Sequence, residues 1–269
     1  MSNQRPYLSI VIPAYNEAER IVPTLRDVAA WVAQERIAAE VLVVDDGSTD
    51  ATVCVVEELA RELPVVRVVA STRNHGKGHA VRLGMLYARG TLRLFMDADN
   101  STSIHELPRL LDRIAAGADI AIGSRRAPGA VRSVKPAWYR RAWSRLANRV
   151  VQAGLLAGIE DTQCGFKLFT AAAAVRIFER VRTHGWGFDL EVLVLARQLG
   201  YRVDEVAVTW QDDARSRVRP LRDAFKIAWE YARIRRRAST GTGAGAAGAA
   251  RPVRRLNGAS ASHPAMVRW

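Results

Sequence analysis

Asp97 and Asp99 stand two residues apart, just past the apolar run LRLFM. Both carboxylates of such a turn can approach one hard cation. Mg²⁺ and Mn²⁺ prefer these oxygen donors and keep substrate phosphates in their remaining positions. The pattern therefore describes a metal site for a diphosphate, although an isolated Asp-x-Asp turn also serves simply to cap the next helix. Here the pair has company. Asp45 and Asp46 end a second apolar run, AEVLVVD, and Pro13-Ala14-Tyr15-Asn16-Glu17 follows a third, YLSIVIP. Asp46 suits either of two tasks: capping a helix that begins near Thr49, or accepting a hydrogen bond from a nucleobase imide.

Arg73-Asn74-His75-Gly76-Lys77-Gly78 has the glycines of a tight turn but not the spacing of a Walker loop, because no Ser or Thr follows Lys77. The turn leads into a helix whose N-terminus, with Lys77, can face a diphosphate; plain turn chemistry explains the same residues equally well. Asp189 and Glu191 lie about 200° apart on a helix, which favours structural roles. Cys54 and Cys164 are the only cysteines, too few for a disulfide framework or a thiolate metal site, and they fit a reducing compartment.

These residues need elements to position them. Apolar runs at 7–13, 39–45, 65–70, 91–96 and 119–123 read as strands. Helical spacing separates them: Leu25, Val28, Ala29 and Val32 in the first interval, then a helix after the Asp46–Asp50 turn, one at 78–89 and one at 105–115. Strands alternating with helices predict an α/β fold with a mostly parallel central sheet flanked by helices, with ligands at the carboxyl ends of the strands. The polar turns occupy those ends. Helical periodicity returns over 171–199. The length, 269 residues with 49% apolar content, supports one large domain over 1–237. The segment 238–269 is low in complexity and poor in large side chains, and reads as a disordered tail.

In this order and spacing, VIPAYNE, VVDDGSTD, RNHGKGHAVRLG, MDADN and IGSR resemble glycosyltransferase family 2 with its GT-A fold, over roughly 7–235. Within that family, DTQCGFKLF, GWGFDLE and VTWQ are most similar to the dolichyl-phosphate β-glucosyltransferase branch. The resemblance implies that Pro13, Tyr15, Glu17, Val44 and Asp46 surround the nucleobase and ribose, and that Asp97, Ala98 and Asp99 hold metal and diphosphate. It places Arg125 near diphosphate and acceptor. Arg217 falls where related polyprenyl-phosphate transferases carry lysine. Ser101 stands where the mannosyl branch has a glutamine metal ligand.

A sugar hydroxyl needs a general base, whereas a lipid monophosphate arrives ionised. For a phosphate acceptor the residues that matter are basic, and Lys167, read as part of a Cys164–Lys167 turn, joins Arg125, Arg126 and Arg217 as candidates. The leading expectation is hexose transfer from a nucleoside diphosphate sugar, UDP-glucose by resemblance, to polyprenyl phosphate. GalNAc or mannose transfer to the same lipid is an alternative. So is transfer to a glycan or glycolipid hydroxyl with Asp161 or Asp189 as base.

The net charge of +13 favours anionic partners. Trp138, Tyr139 and Trp143 interleave with Lys135, Arg140, Arg141 and Arg145 in a helix placed at about 134–157. That pattern fits anionic headgroups or an ordinary docked helix. Arg233-Ile234-Arg235-Arg236-Arg237 adds a second basic cluster. No window supplies the roughly 20 apolar residues of a spanning helix, and no basic segment followed by an apolar run opens the chain. The expected location is the inner face of the cytoplasmic membrane, bound peripherally or through a membrane-protein partner. A nucleic-acid or nucleotide-sensing module is the remote alternative, since no recognised nucleic-acid-binding module is present.

Overall fold

The computed structural model describes residues 5–132, 156–211 and 230–237. Arg217, the helix placed at about 134–157 and the segment 238–269 fall on positions outside the described residues, apart from the final two residues of that helix range.

The short β-branched runs form the strands β1 (Leu8–Ala14), β2 (Ala39–Asp45), β3 (Val66–Ala70), β4 (Leu92–Met96) and β5 (Ile120–Ser124), all but the edge strand β3 buried on both faces. Between them run α1 (Ala18–Gln34), α2 (Thr52–Glu62), α3 (Lys77–Tyr87) and α4 (Leu107–Ala115). The chain continues through β6 (Val131–Arg132), β7 (Phe166–Thr170), α5 (Ala171–Phe178), α6 (Phe188–Gln198), β8 (Val203–Ala207) and β9 (Thr209–Trp210). Residues 230–237 are helical. The main sheet has the order β3-β2-β1-β4-β7-β5-β8, and β6 pairs with β9 separately.

All neighbouring pairs in the main sheet are parallel except those of β7, which runs antiparallel to both β4 and β5. This strand departs from the sequence reading, which placed a turn at Cys164–Lys167. Phe166 and Lys167 instead open β7, a lysine inside the apolar run FKLF having disguised it. The reversal matters for the site, because Phe166 pairs with Met96 and so brings Gly165 beside the Asp97 turn.

Side chains alternate across the sheet and build two cores. On one face Ile10, Ile12, Val43, Leu94 and Leu168 meet Leu25, Val28 and Trp31 of α1 and Leu107 and Leu110 of α4. On the other, Val11, Val44, Phe95 and Phe169 meet Val81 and Met85 of α3, Ile177 of α5 and Leu193 of α6. Each such fully buried side chain contributes on the order of 1.5–3 kcal/mol. Sheet and helices together make a rigid base under the loops at the carboxyl edge.

Candidate active site

The carboxyl ends of β1, β2 and β4, with Arg125 just past β5, open into one cleft of about 650 Å³. Pro13, Tyr15, Glu17, Asp46, Lys77, Asp97, Ala98, Asp99 and Arg125 all line it. Val44 does not belong to this group. It is 1% exposed and covered by α3, where a Cβ on Gly84 would lie 2.8 Å from its Cγ2. The expectation that it borders the nucleobase is corrected accordingly.

Asp46 is 3% exposed, and its carboxylate accepts the backbone N–H groups of His75 at 3.0 Å and Gly76 at 2.7 Å. It fixes the turn that delivers Lys77. The Lys77 ammonium lies 2.6 Å from Asp97 Oδ1. Burial opposes its charge, but Asp97, Asp189 and Asp99 outweigh burial and raise Lys77 above the usual lysine value. The ammonium also lies 5.5 Å from the Phe95 ring and 4.9 Å from that of Trp186. The N-terminus of α3 is partly used already, because Gly78 N–H donates to the His184 carbonyl at 2.7 Å.

Asp97 is held from behind. Its N–H donates to the Gly165 carbonyl at 3.1 Å, and a Cβ on Gly165 would lie 2.0 Å from Asp97 Oδ2. Only a residue without a side chain leaves room for that carboxylate. Asp99 Oδ1 accepts from Ser101 N–H at 3.0 Å, and Ser101 also lines the cleft. The donor set, two carboxylates from one turn, fits a hard divalent ion whose other ligands are diphosphate and water oxygens. Among the described residues no third His, Cys, Asp or Glu joins them.

Arg125 is fixed by Asp161. The carboxylate accepts its backbone N–H at 2.9 Å, Nε at 2.7 Å and Nη2 at 2.8 Å. Burial raises the Asp161 carboxyl, yet the guanidinium outweighs it and holds the group well below the usual carboxylate range. The Arg125 guanidinium lies 5.5 Å from the Trp210 ring. Nearby, burial and Asp161 push the Cys164 thiol up to about 11, which keeps it unreactive.

Lys167 takes a different place from the one expected. It is 1% exposed, and its ammonium donates to the Cys164 carbonyl at 2.6 Å and to Asp189 Oδ1 at 2.5 Å. Its position on β7 points it toward α6 beneath the cleft, not toward an incoming acceptor. Burial pushes the Asp189 carboxyl up, while Lys167 and Lys77 pull it down. Lys167, Asp189, Lys77 and Asp97 thus form an alternating set of charges, Lys167 beneath the cleft and the other three lining it. Glu191 faces elsewhere, accepting N–H from Arg182 and Thr183 at 3.0 and 2.6 Å. Its structural reading agrees with that geometry.

Several cleft residues, Thr102, Gly165, Trp186 and Arg20 among them, are not singled out by the sequence. Gly165 and Trp186 lie inside quoted motifs but carry no ionisable group. Arg20, paired with Glu17 at 2.5 Å, reads as an ordinary helix-surface charge.

Residues 9–178 match the profile of glycosyl transferase family 2. The chain belongs to that family. Among curated relatives it is 34% identical over 247 residues to the dolichyl-phosphate beta-glucosyltransferase of Saccharomyces cerevisiae, covering 85% of this chain and 74% of that one. The Drosophila melanogaster protein of the same name is 36% identical, covering 86% and 79%. In fold, this glycosyltransferase is similar to glucosyl-3-phosphoglycerate synthase of Mycobacterium tuberculosis, crystallised with Mn²⁺, UDP-glucose and phosphoglyceric acid. The TM-score is 0.63 at 19% identity, covering 87% and 80% of the two chains. Mannosyl-3-phosphoglycerate synthase of Rubrobacter xylanophilus matches with a TM-score of 0.63 at 22% identity, covering 88% and 75%. The family member therefore has the GT-A fold, and the cleft lies where that fold's sheet ends.

Proposed function

We propose that this glycosyltransferase moves a hexose from a nucleoside diphosphate sugar, UDP-glucose being favoured, to polyprenyl phosphate, with inversion and with a divalent metal. One observation carries the choice of acceptor: the carboxylates lining the described cleft have other work. Glu17 pairs with Arg20, Asp46 holds backbone N–H groups, Asp97 meets Lys77 and Asp189 meets Lys167. Asp99 remains for the metal, and Asp161, the other candidate base, is bound to Arg125. Among the described residues a sugar hydroxyl would lack a base. A lipid phosphate needs none, its second ionisation lying near pH 6.

In this reading an acceptor phosphate oxygen attacks the anomeric carbon from the face opposite the diphosphate. The new C–O bond forms as the bond to the diphosphate oxygen breaks, and the electron pair leaves on that oxygen, giving the β-linked lipid-phosphate sugar. Lys77 supplies positive charge beside the diphosphate, and Arg125 supplies it toward the acceptor. Asp97 and Asp99 would hold a divalent ion, which would supply charge neutralisation at the leaving group. The names of the curated relatives support both the sugar and the lipid, and the Mn²⁺ and UDP-glucose of the structural neighbour support the metal and nucleotide.

Attachment to the cytoplasmic face of the membrane is part of the same proposal. Arg233, Arg235 and Arg236 are exposed on the helix at 230–237, and each adds on the order of 1 kcal/mol near anionic lipid. No helix among the described residues is long and apolar enough to cross a membrane.

The test incubates the purified chain with labelled UDP- and GDP-sugars, Mn²⁺ and a short polyprenyl phosphate, beside glycan acceptors. Lipid-phosphate hexose is the expected product. Transfer to a glycan alone would overturn the assignment.

A further inference from the structure

Trp186 is 46% exposed, one of few large apolar side chains so placed, and it lines the cleft. The loop that carries it is fastened at several points. At its start Glu191 accepts N–H from Arg182 and Thr183, and the His184 carbonyl accepts Gly78 N–H at 2.7 Å. At its end Gly187 N–H donates to Glu230 Oε2 at 2.7 Å.

Glu230 does more than accept that bond. A Cβ on Gly185 would lie 2.3 Å from Glu230 Oε1, and one on Gly187 would lie 2.5 Å from Oε2. The glycines on either side of Trp186 thus admit one carboxylate between them. The helix bearing Glu230 is itself anchored, with Ile234 2% exposed in the α3–α6 core and Arg237 3.3 Å from Glu191. A large aromatic held this firmly in a polar cleft is preorganised for a ligand.

The surroundings identify the chemistry. The ring lies 4.9 Å from the Lys77 ammonium, which in turn meets Asp97 at 2.6 Å. A flat apolar surface beside the groups that take a diphosphate suits the C–H face of the sugar attached to that diphosphate. We infer that Trp186 is the surface on which the donor's hexose rests, and that Glu230 is the positioning residue that holds it there. This rests on the nucleotide-sugar reading above.

The test measures binding, with Mn²⁺ present, of the nucleotide sugar that most stabilises the wild type, and of the matching nucleotide diphosphate without its sugar. Trp186→Ala weakens the nucleotide sugar about tenfold and leaves the sugar-free nucleotide within twofold, while Trp186→Phe keeps most of the affinity. Glu230→Ala reproduces the selective loss, Glu230→Gln restores it because the amide oxygen still accepts from Gly187, and the double variant Trp186→Ala/Glu230→Ala is no worse than either single one. Equal weakening of both ligands, or a change confined to the KM of the lipid acceptor, overturns the assignment of Trp186. Additive losses in the double variant overturn the role of Glu230. If the wild type binds no nucleotide sugar, the functional reading has failed first.

Discussion

Gly165 and Asp97 occupy space that only one of them can fill: a methyl group on the glycine would lie 2.0 Å from the Oδ2 atom of the aspartate. Gly165→Ala is therefore expected to displace the carboxylate, not merely to crowd a core. Activity falls by at least about 100-fold, as displacement of a group at the reacting centre by an ångström does. Stability falls by only about 1–3 kcal/mol. Steady-state kinetics beside urea melts check the separation; comparable activity in the alanine variant would refute the contact.

Asp99 has the freer role of the two aspartates, its one described partner being the Ser101 N–H. Chelation should abolish turnover, and Mn²⁺ or Mg²⁺ should restore it in the wild type but not in Asp99→Ala. The melting temperature of the variant without metal should stay near that of the wild type, because no buried partner is orphaned. Titration of activity against free Mn²⁺ in both proteins measures this.

Lys167 is expected to act through stability. Lys167→Met leaves the Asp189 carboxylate, 5% exposed, without its closest cation, and should cost about 3–5 kcal/mol. Lys167→Met/Asp189→Asn should cost clearly less than the sum of the two single variants. Denaturant melts of the four proteins supply the cycle; additivity would mean that the pair is not coupled.

Asp161 titrates lower in the folded chain than in the unfolded one because Arg125 holds its charge. The resulting stability is complete above the unfolded value of about 3.9 and drains away as pH falls below it. Asp161→Asn should be less stable at neutral pH and should show a shallower fall between about pH 5 and 3. Parallel slopes in urea melts across that range would contradict the linkage.

Much of this cleft could be read along the chain. Asp97, Asp99, Asp46 and Glu17 follow strands whose apolar runs are unmistakable, and the end of a strand in a parallel sheet is where ligands bind. Lys167 was misplaced for a local reason: a lysine among Phe166, Leu168 and Phe169 marks a turn unless its partner is known, and Asp189 is 22 residues away. Val44 is covered by α3, a contact between separate segments that no motif records. Gly165, Trp186 and Glu230 act through shape and through contacts between distant segments, so their residue types alone carried little signal.

The reversed strand decides where the chain comes back to the cleft. β5 leaves the sheet at Ser124 and β7 enters it at Phe166 on the same edge, so the intervening stretch departs from and returns to the rim of the cleft. Arg125 at its start and Gly165 at its end thus reach the same cleft although they lie far apart along the chain, and Asp161, shortly before Gly165, comes back to clasp Arg125. A strand running the other way at this place would start at the opposite edge of the sheet, away from the Asp97 turn.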